Sequence, residues 1–250
     1  MMHNFQRLAI KVSGRAIAVP ALPASSSYRS CELQPLSAVA SGLTALADSG
    51  KQLVLSAGGG NIARRPELPQ GHSTRVPDER AGILATGVNG CLIAGAISRM
   101  SNRPVSVLSG VSMPGLFETF LPSVADGALN AGGIVVHLHG IGQPFVTSDY
   151  CAVQRALETG CSQVVFLKYG ISAVMTADPA LDPEAEPLRR LSFSEVLDRR
   201  LFAVDEPALR LAADQGLPLR VIGVSKVETL AGALEDPNEG TWISGRDRGA

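Results

Sequence analysis

The alternation of short apolar runs with longer helical stretches constrains the fold of this chain more than any other feature. Six apolar runs are predicted to be strands, at 7–14, 52–57, 105–110, 133–140, 162–170 and 218–224. Five other stretches have helical spacing, at 33–50, 79–100, 148–160, 192–200 and 206–216. Strands that are apolar along most of their length are typical of a parallel sheet covered on both faces. The pattern therefore predicts an α/β fold around a mostly parallel sheet.

Three further segments complete this prediction. Residues 15–35 are rich in Ala, Pro and Ser and are predicted to be a surface excursion. The short stretch 240–244 is predicted to be an edge strand. The acidic, Pro-rich segment 178–187 is predicted to be a loop that marks a boundary between two lobes of one sheet.

The composition excludes several classes of protein. A hydrophobic fraction of 45% over 250 residues is enough for a buried core, in one large domain or two small ones. The formal net charge of −1 provides no general attraction for nucleic acid or for an anionic membrane. Four scattered cysteines without a CxxC pair argue against a zinc site and favour a reduced compartment. Because the chain also lacks a signal-like start and an unbroken apolar run of about 18 residues, we expect a soluble, cytoplasmic protein.

Three consecutive glycines, Gly58–Gly60, follow the second predicted strand, and Arg64 and Arg65 come shortly after them. In a parallel α/β sheet, ligands bind at the carboxyl ends of the strands. Glycines there bring the backbone close to a ligand and leave N–H groups free for an anion, and an arginine adds a bidentate contact. The alternative is a flexible turn with two solvated arginines. The stretch matches neither a Walker A sequence nor GxGxxG.

Two other predicted strand ends carry polar groups. Lys11 lies near the end of the first strand, where its ammonium group reaches either the ligand crevice or solvent. The segment 140–149 places Thr147 and Ser148 at a helix start, where hydroxyl and backbone N–H groups favour a phosphate. Asp149 is either an ordinary acid of the first helical turn or the partner of a lysine or metal near that phosphate.

Two more features have both a structural and a functional interpretation. His137 and His139 alternate along the fourth strand and are predicted to share one face. Metal ligation by them is conceivable, but the spacing suggests no third ligand, and histidines of the core or edge are commoner. The stretch 166–179 runs from a strand through a Lys-Tyr-Gly turn to an Asp-Pro turn, and such a loop suits a nucleotide base or ribose.

Taken together, these segments resemble the bacterial-type UMP kinases of the amino acid kinase superfamily. The motifs that carry the resemblance are, in order, IKVSG, AGGGNIARR, GILATGVNG, GIGQPFVTSD, TADPALDP, LSFSEVL, LPLRVIGV and NEGTWI. They extend over about residues 7–244. The resemblance implies a three-layer αβα sandwich in a single domain over 1–250, with an acceptor-binding lobe at about 1–160 and a nucleotide-binding lobe at about 161–250. It also implies a homohexamer that transfers the γ-phosphoryl group of ATP, with Mg²⁺, to UMP.

The resemblance assigns a role to individual residues of this chain. Lys11 and Asp149 are implied to be catalytic, the lysine on the transferring phosphoryl group and the acid orienting it. The implied acceptor site comprises Gly59, Arg64, Glu79, Ile141, Gly142, Gln143, Pro144, Phe145, Thr147 and Ser148. The implied ATP site comprises Lys11, Ser13, Gly14, Gly58, Gly60, Lys168, Tyr169, Ser172, Met175 and Asp178. No resident metal site is implied, and Arg65 is implied to be a surface charge.

The chain also departs from the family pattern. Glu79 stands where the family has an aspartate that contacts the sugar of the acceptor. Ile141 and Gln143 replace the Thr and Asn of Gly-Thr-Gly-Asn-Pro-Phe, which changes the pocket for the base. Both lysines of the family's nucleotide loop have left their positions, and Lys168 replaces the first of them after a shift of one residue. Ser172 stands at the position of the family's aspartate.

These departures leave three hypotheses. The first is a kinase that converts UMP to UDP. The second is a kinase of the same fold with a different acceptor, such as a biosynthetic intermediate or a phosphonate. The third is a non-catalytic assembly that binds nucleotides or anions, like the molybdenum storage protein of the same superfamily. All three predict a homo-oligomer that binds small molecules, with neither nucleic acid nor a membrane as a partner.

Overall fold

The strand that carries Lys11 lies at the centre of a nine-stranded sheet in a computed structural model of the chain. The structure describes residues 6–17, 34–60, 75–177, 182, 184–201 and 203–245. Its strands are β1 (Arg7–Val12), β2 (Gln52–Ala57), β3 (Val105–Ser109), β4 (Glu118–Thr119), β5 (Ile134–Leu138), β6 (Gln163–Lys168), β7 (Val174–Met175), β8 (Pro187–Leu188), β9 (Arg190–Ser192), β10 (Leu219–Gly223) and β11 (Thr241–Ser244). Its α-helices are α1 (Gly14–Ile17), α2 (Gln34–Asp48), α3 (Arg75–Met100), α4 (Pro122–Asn130), α5 (Ser148–Glu158), α6 (Phe193–Asp198), α7 (Glu206–Asp214) and α8 (Leu230–Glu235), and a 3-10 helix spans Val224–Thr229.

The main sheet is almost entirely parallel, as the sequence predicts. Its strand order is β4-β3-β5-β2-β1-β6-β10-β11-β9, and β7 and β8 form a separate antiparallel pair. Among the described strands of the main sheet, only β10 and β11 pair antiparallel. The carboxyl ends of β1, β2, β5, β6 and β10 therefore meet at one edge, which is where the polar strand ends of the sequence come together.

Two helical layers cover the sheet and confirm the predicted three-layer αβα arrangement. Alternate residues of a strand point to opposite faces, so each central strand contributes to both layers. Leu8, Ile10 and Val12 of β1 pack with α2, α3 and α8 on one face. Ala9 of β1 packs with α4, α5, α6 and α7 on the other face. The burial of both faces explains why these strands are apolar almost throughout.

The structure corrects several details of the sequence prediction. β11 is not an edge strand, because β9 pairs with its outer side. The predicted excursion 15–35 begins with a helical turn, α1, whose Ala16 and Ile17 are buried, and residues 18–33 lie outside the described residues. α4, α8 and the 3-10 helix were not predicted, because their short apolar stretches lack a long helical period.

α3 is longer than predicted, since it begins one turn before residue 79. Pro77 lies in this first turn, where a helix tolerates proline because the first N–H groups have no intrahelical partner. By length and composition alone, α3 is long and apolar enough to cross a membrane. It packs against α2 and against β2, β3 and β5, with Ile93 and Ile97 fully buried, and this is the position of a core helix.

Arg220 connects strand β10 to the end of α8 and to the turn before β11. This residue of β10 is 4% exposed. Its guanidinium group donates hydrogen bonds to the backbone carbonyls of Ala233, Leu234, Asp236 and Glu239. These carbonyls belong to the end of α8 and to the turn before β11, so one buried cation satisfies acceptors that the end of a helix leaves unpaired.

Replacement of Arg220 by Ala should destabilise the fold by about 2–4 kcal/mol, because buried carbonyls would lose their donors. Urea denaturation followed by circular dichroism measures this change. Arg210 is the matched control, since its i,i+4 pair with Glu206 is exposed. Arg210→Ala should change the free energy of unfolding by about 0.5 kcal/mol or less. Equal effects of the two substitutions would contradict the role assigned to Arg220.

Candidate active site

A cleft of about 480 Å³ opens at the carboxyl edge of the sheet, over the ends of β1, β2 and β6. Helices α3 and α5 begin at its walls. Several residues of the expected site line this cleft: Lys11, Ser13, Gly14, Gly58, Gly59, Gly60, Glu79, Thr147, Ser148, Lys168 and Tyr169. The parallel sheet thus brings together residues as far apart in sequence as Lys11 and Tyr169.

The glycines at the ends of β1 and β2 allow these two strand ends to approach each other closely. A Cβ atom on Gly14 would lie 2.2 Å from the backbone nitrogen of Gly60 and 2.3 Å from the carbonyl oxygen of Gly58. Gly60 also has a φ of 63°, in the left-handed region that favours glycine. Gly59 and Gly60 remain partly exposed at the floor of the cleft. The glycine run is therefore a structural requirement as well as a lining of the cleft.

Asn89, which is not among the predicted site residues, supports this glycine turn through its side chain. Its side-chain amide donates a hydrogen bond of 2.7 Å to the carbonyl oxygen of Gly58, and the residue is buried. Asn89 lies in α3, within the GVNG stretch. A buried asparagine in an otherwise apolar helix was the available signal, since buried amides need a partner.

Asp149 is held between the side chains of two lysines, Lys11 and Lys168, that line the cleft. Its Oδ1 atom lies 2.8 Å from Lys11 Nζ, and its Oδ2 atom lies 2.9 Å from Lys168 Nζ. Asp149 is 9% exposed and Lys11 is 7% exposed. Two ammonium groups and one carboxylate leave one net positive charge in a largely dehydrated position, which suits an anionic ligand.

The charges of this cluster shift the pKa values of Asp149 and Lys168. Burial alone would raise the pKa of Asp149, but the neighbouring Lys11 and Lys168 outweigh it and lower the pKa to about 2. Burial, together with the charge of Lys11, lowers the pKa of Lys168, although Asp149 acts in the opposite direction. Asp149 is therefore a carboxylate throughout the neutral range and does not act as a proton donor there.

Strand alternation explains why Lys168 reaches the cleft. The neighbouring Leu167 points to the face covered by α2 and is fully buried there. Lys168 points to the opposite face, on the same side as Phe166, whose ring centroid lies 5.3 Å from Lys168 Nζ. Lys11 and Ala9 of β1 point to this face as well. Both lysines thus face α5, and Asp149 in its first turn is positioned to meet them.

The start of α5 is ordered by its own cap. Thr147 is the N-cap residue, and its hydroxyl accepts a hydrogen bond of 3.0 Å from the backbone N–H of Tyr150. Val146, Thr147 and Ser148 line the cleft. The N-terminus of α5 therefore faces the cleft, with the partial positive charge that a helix start carries.

The loop before α5 contributes less to the cleft than expected. Gly140 lines it, whereas Ile141, Gly142, Gln143, Pro144 and Phe145 are not part of its described lining. Gly140, Gly142 and Phe145 have positive φ angles. The backbone N–H of Phe145 donates to Glu79 Oε2 at 3.3 Å, so Glu79 contacts this loop at the mouth of the cleft.

The expected nucleotide residues lie in the cleft, in a second cavity that adjoins it, and in β7. Ser172 lies at a second cavity, of about 620 Å³, between the 169–172 loop, α2 and the 3-10 helix. Met175 lies in β7 and pairs with Pro187 of β8. The loop crosses the end of β10, where a Cβ atom on Gly223 would lie 3.0 Å from Ile171 O. Lys168 and Tyr169 line this second cavity as well as the cleft, so the two cavities adjoin at the end of β6. Arg64, Arg65 and Asp178 lie outside the described residues.

The two histidines do not share a face, contrary to the sequence prediction. His137 Nε2 accepts a hydrogen bond of 3.0 Å from Arg155 Nε of α5. His139 packs on the opposite side against α3, where a Cβ atom on Gly87 would lie 2.0 Å from its Nε2 atom. Its φ of 62° ends the strand and breaks the alternation. Its Nδ1 atom lies 2.9 Å from Ser109 Oγ, so both rings take part in packing and hydrogen bonds.

Comparison with known proteins agrees with this architecture. The model of the amino acid kinase family matches residues 6–223. The uridylate kinase of Frankia alni is 33% identical over 97% of this chain and 92% of its own length. The uridylate kinase of Pseudomonas paraeruginosa is 36% identical over 96% of this chain and 95% of its own length.

Solved structures show the same fold. The crystal structure of UMP kinase from Bacillus anthracis superimposes with a TM-score of 0.85 and 30% identity, and it covers 97% of each chain. The UMP kinase from Ureaplasma parvum superimposes with a TM-score of 0.81 and 25% identity, over 96% of this chain and 99% of that one. The protein therefore belongs to the amino acid kinase family, within which it groups with the uridylate kinases.

Proposed function

We propose that this protein transfers the γ-phosphoryl group of ATP to UMP, producing UDP and ADP. The observation that carries the proposal is the Lys11–Asp149–Lys168 cluster, which places one net positive charge between the glycine turns and the start of α5. The uridylate kinases to which the chain is similar support the choice of substrates.

In this proposal the protein acts by positioning and by charge rather than by a covalent intermediate. An oxygen of the UMP phosphate attacks the γ-phosphorus in line while the bond from that phosphorus to the bridging oxygen of ADP breaks. Lys11 and Lys168 stabilise the negative charge on the transferring group, and Asp149 keeps both ammonium groups in place. The backbone N–H groups of Gly59 and Gly60 and the start of α5 hold the phosphates on either side.

Magnesium enters this proposal with the nucleotide. Among the described residues, no group of three His, Cys, Asp or Glu side chains could hold a metal ion. Asp149 already pairs with two lysines. Mg²⁺ is commonly bound through substrate phosphates with few protein ligands, and we assign it to MgATP as the true donor substrate.

An apolar stripe on α3 supports the expected homo-oligomer. Leu84, Val88 and Leu92 are 54%, 55% and 40% exposed, and their spacing of four residues places them on one side of the helix. Adjacent exposed side chains of this kind mark contacts with another protein. We propose that a second copy of the chain covers this stripe, within the homohexamer that the family resemblance implies.

The two substrates are proposed to bind to different parts of the domain. We assign acceptor binding to the first part of the single domain, about residues 1–160, and nucleotide binding to about 161–250. The Lys11 strand lies between the two parts, next to β6. We also propose a cytoplasmic location, where both nucleotide substrates are available.

The function is tested by coupled phosphoryl transfer from MgATP to UMP, CMP and a panel of non-nucleotide phosphates and phosphonates. We expect turnover with UMP and a loss of roughly 10²-fold or more in kcat for Lys11→Ala, comparable to the loss of another electrostatic stabiliser. Lys51→Ala is the matched control, because Lys51 lies before β2, away from the cleft, and contacts Gln6.

The results of this experiment distinguish a UMP kinase from a kinase with another acceptor and from a non-catalytic assembly. Turnover with another phosphate and none with UMP would show an altered acceptor, which Ile141 and Gln143 would explain. Tight binding of ATP without any transfer would favour a non-catalytic assembly. Equal activity of Lys11→Ala and Lys51→Ala would refute the assignment of Lys11.

The stability of the fold should depend on pH through Asp149. The pKa of this group is lowered from 3.8 to about 2, so its stabilising contribution is complete above pH 3.8 and is lost as the pH falls through about 2. That contribution amounts to about 2 kcal/mol. Urea denaturation of the protein and of Asp149→Asn should therefore show a difference that is constant above pH 3.8 and shrinks as the pH falls from there to about 2. Asp214→Asn, at an exposed position, should show no such trend.

Disruption of the α3 stripe should change the oligomeric state. Val88→Asp introduces a charge into the proposed contact, so we expect smaller species in size-exclusion chromatography with light scattering. The exposed position predicts little change in the stability of the isolated fold. Glu228→Gln is an exposed control outside α3. An unchanged mass for Val88→Asp would contradict the proposed interface.

A further inference from the structure

Asp205 makes a contact that the proposed mechanism does not use. It is the N-cap residue of α7, and one carboxylate oxygen, Oδ1, accepts a hydrogen bond of 2.9 Å from the backbone N–H of Ala208. Its other oxygen, Oδ2, accepts a hydrogen bond from the hydroxyl of Thr147. An ordinary N-cap needs only the first of these bonds.

Thr147 is itself the N-cap residue of α5, since its hydroxyl also accepts from the N–H of Tyr150. The Thr147–Asp205 hydrogen bond therefore joins the caps of two helices that come from different parts of the sheet. α5 packs against β1 and β2, and it is preceded by the loop that begins at Gly140. α7 leads into β10, on the other side of β1 in the sheet.

The bond lies beside the charged cluster. Burial raises the pKa of Asp205, and the charge of Asp149 does the same, whereas the bonds from Thr147 and Ala208 and the charge of Lys168 lower it. Asp205 thus interacts with both members of the Asp149–Lys168 pair without forming an ion pair with that lysine. Ala203, two residues before it, lines the cleft.

We infer that Asp205 is a positioning residue, which acts through Thr147 to hold the loop 140–147 and the start of α5 against the nucleotide side of the cleft. The inference rests on the proposed function, because that function assigns acceptor binding to about residues 1–160, the part of the chain that contains the loop 140–147. Asp205 itself does not contact the reacting atoms. It holds Ser148 and Asp149 at a set distance from Lys168. The distance between the acceptor phosphate and the phosphates of ATP is thereby kept constant.

The geometry allows the two roles of Asp205 to be separated. A serine at this position still caps α7, because serine is a favoured N-cap residue. Its side chain is shorter, so it does not reach Thr147. An asparagine caps α7 as well, and its amide N–H donates to the Thr147 hydroxyl oxygen, which preserves the link between the helices.

The experiment compares the full-length protein with Asp205→Ser and Asp205→Asn. In the ligand-free state, hydrogen exchange of the backbone amides in 140–150 should be faster for Asp205→Ser and close to normal for Asp205→Asn. In steady-state kinetics, Asp205→Ser should raise the KM for the acceptor by about tenfold, as for the loss of a hydrogen bond to a charged group. The KM for ATP should change less than about twofold, within the variation expected of a residue that touches neither substrate.

Ser192→Ala is the control for the loss of a helix cap alone. Ser192 caps α6 through a reciprocal capping box, away from the cleft. This variant should lower the melting temperature without changing exchange in 140–150 or the KM for the acceptor. If Asp205→Ser behaves like Ser192→Ala, the role of Asp205 is limited to capping and the inference is wrong.

The two kinds of failure are distinguishable. The exchange measurement requires no substrate, so it tests the link between the helices whatever the acceptor is. Normal exchange in Asp205→Ser overturns the inference and leaves the proposed function intact. Faster exchange in a protein that does not phosphorylate UMP supports the link and overturns the proposed function instead.

Discussion

The carboxylate of Asp149, held between Lys11 and Lys168, is the interaction on which the rest of the site depends. A buried charge is unfavourable unless partners replace its hydration, and removing one member of such a group leaves the others uncompensated. Here the three charges come from β1, β6 and α5, so the cluster forms only when the sheet and the helix layer are assembled. It couples the folding of the sheet to the formation of a positive centre in the cleft.

Close backbone contacts complete that centre. The ends of β1 and β2 approach so closely that Gly14 has no space for a side chain. Asn89 of α3 fixes the turn by binding the carbonyl oxygen of Gly58. On the other wall, the caps of α5 and α7 are joined through Thr147 and Asp205. These contacts are made by short polar groups at element ends, where the backbone has unpaired donors and acceptors.

The sequence predicted the large elements well, because strands covered on both faces and long helices leave strong patterns. The central strands and the helices α2, α3, α5 and α7 lie within a few residues of their predicted bounds, whereas α4 and α8 were missed because they are short. Some site residues were predicted and others were missed, again because only some of them belong to a recognisable local pattern. Lys11 and Asp149 stand at strand and helix ends that a parallel sheet brings together. Asn89 shows only that a polar side chain interrupts an apolar stretch of α3, and Asp205 has an ordinary N-cap context, so neither residue indicates its partner.

By itself, the sequence determined the fold class, the family and the edge of the sheet at which polar groups gather, because these follow from periodicity and from motifs that are local in the chain. Only the tertiary structure decided which groups meet there. Lys168 reaches Asp149 because alternation along β6 turns it toward α5, while Leu167 enters the core. His139 leaves the face of His137 because its positive φ ends the strand. Such contacts depend on distances between segments far apart in the chain, which local pattern does not encode.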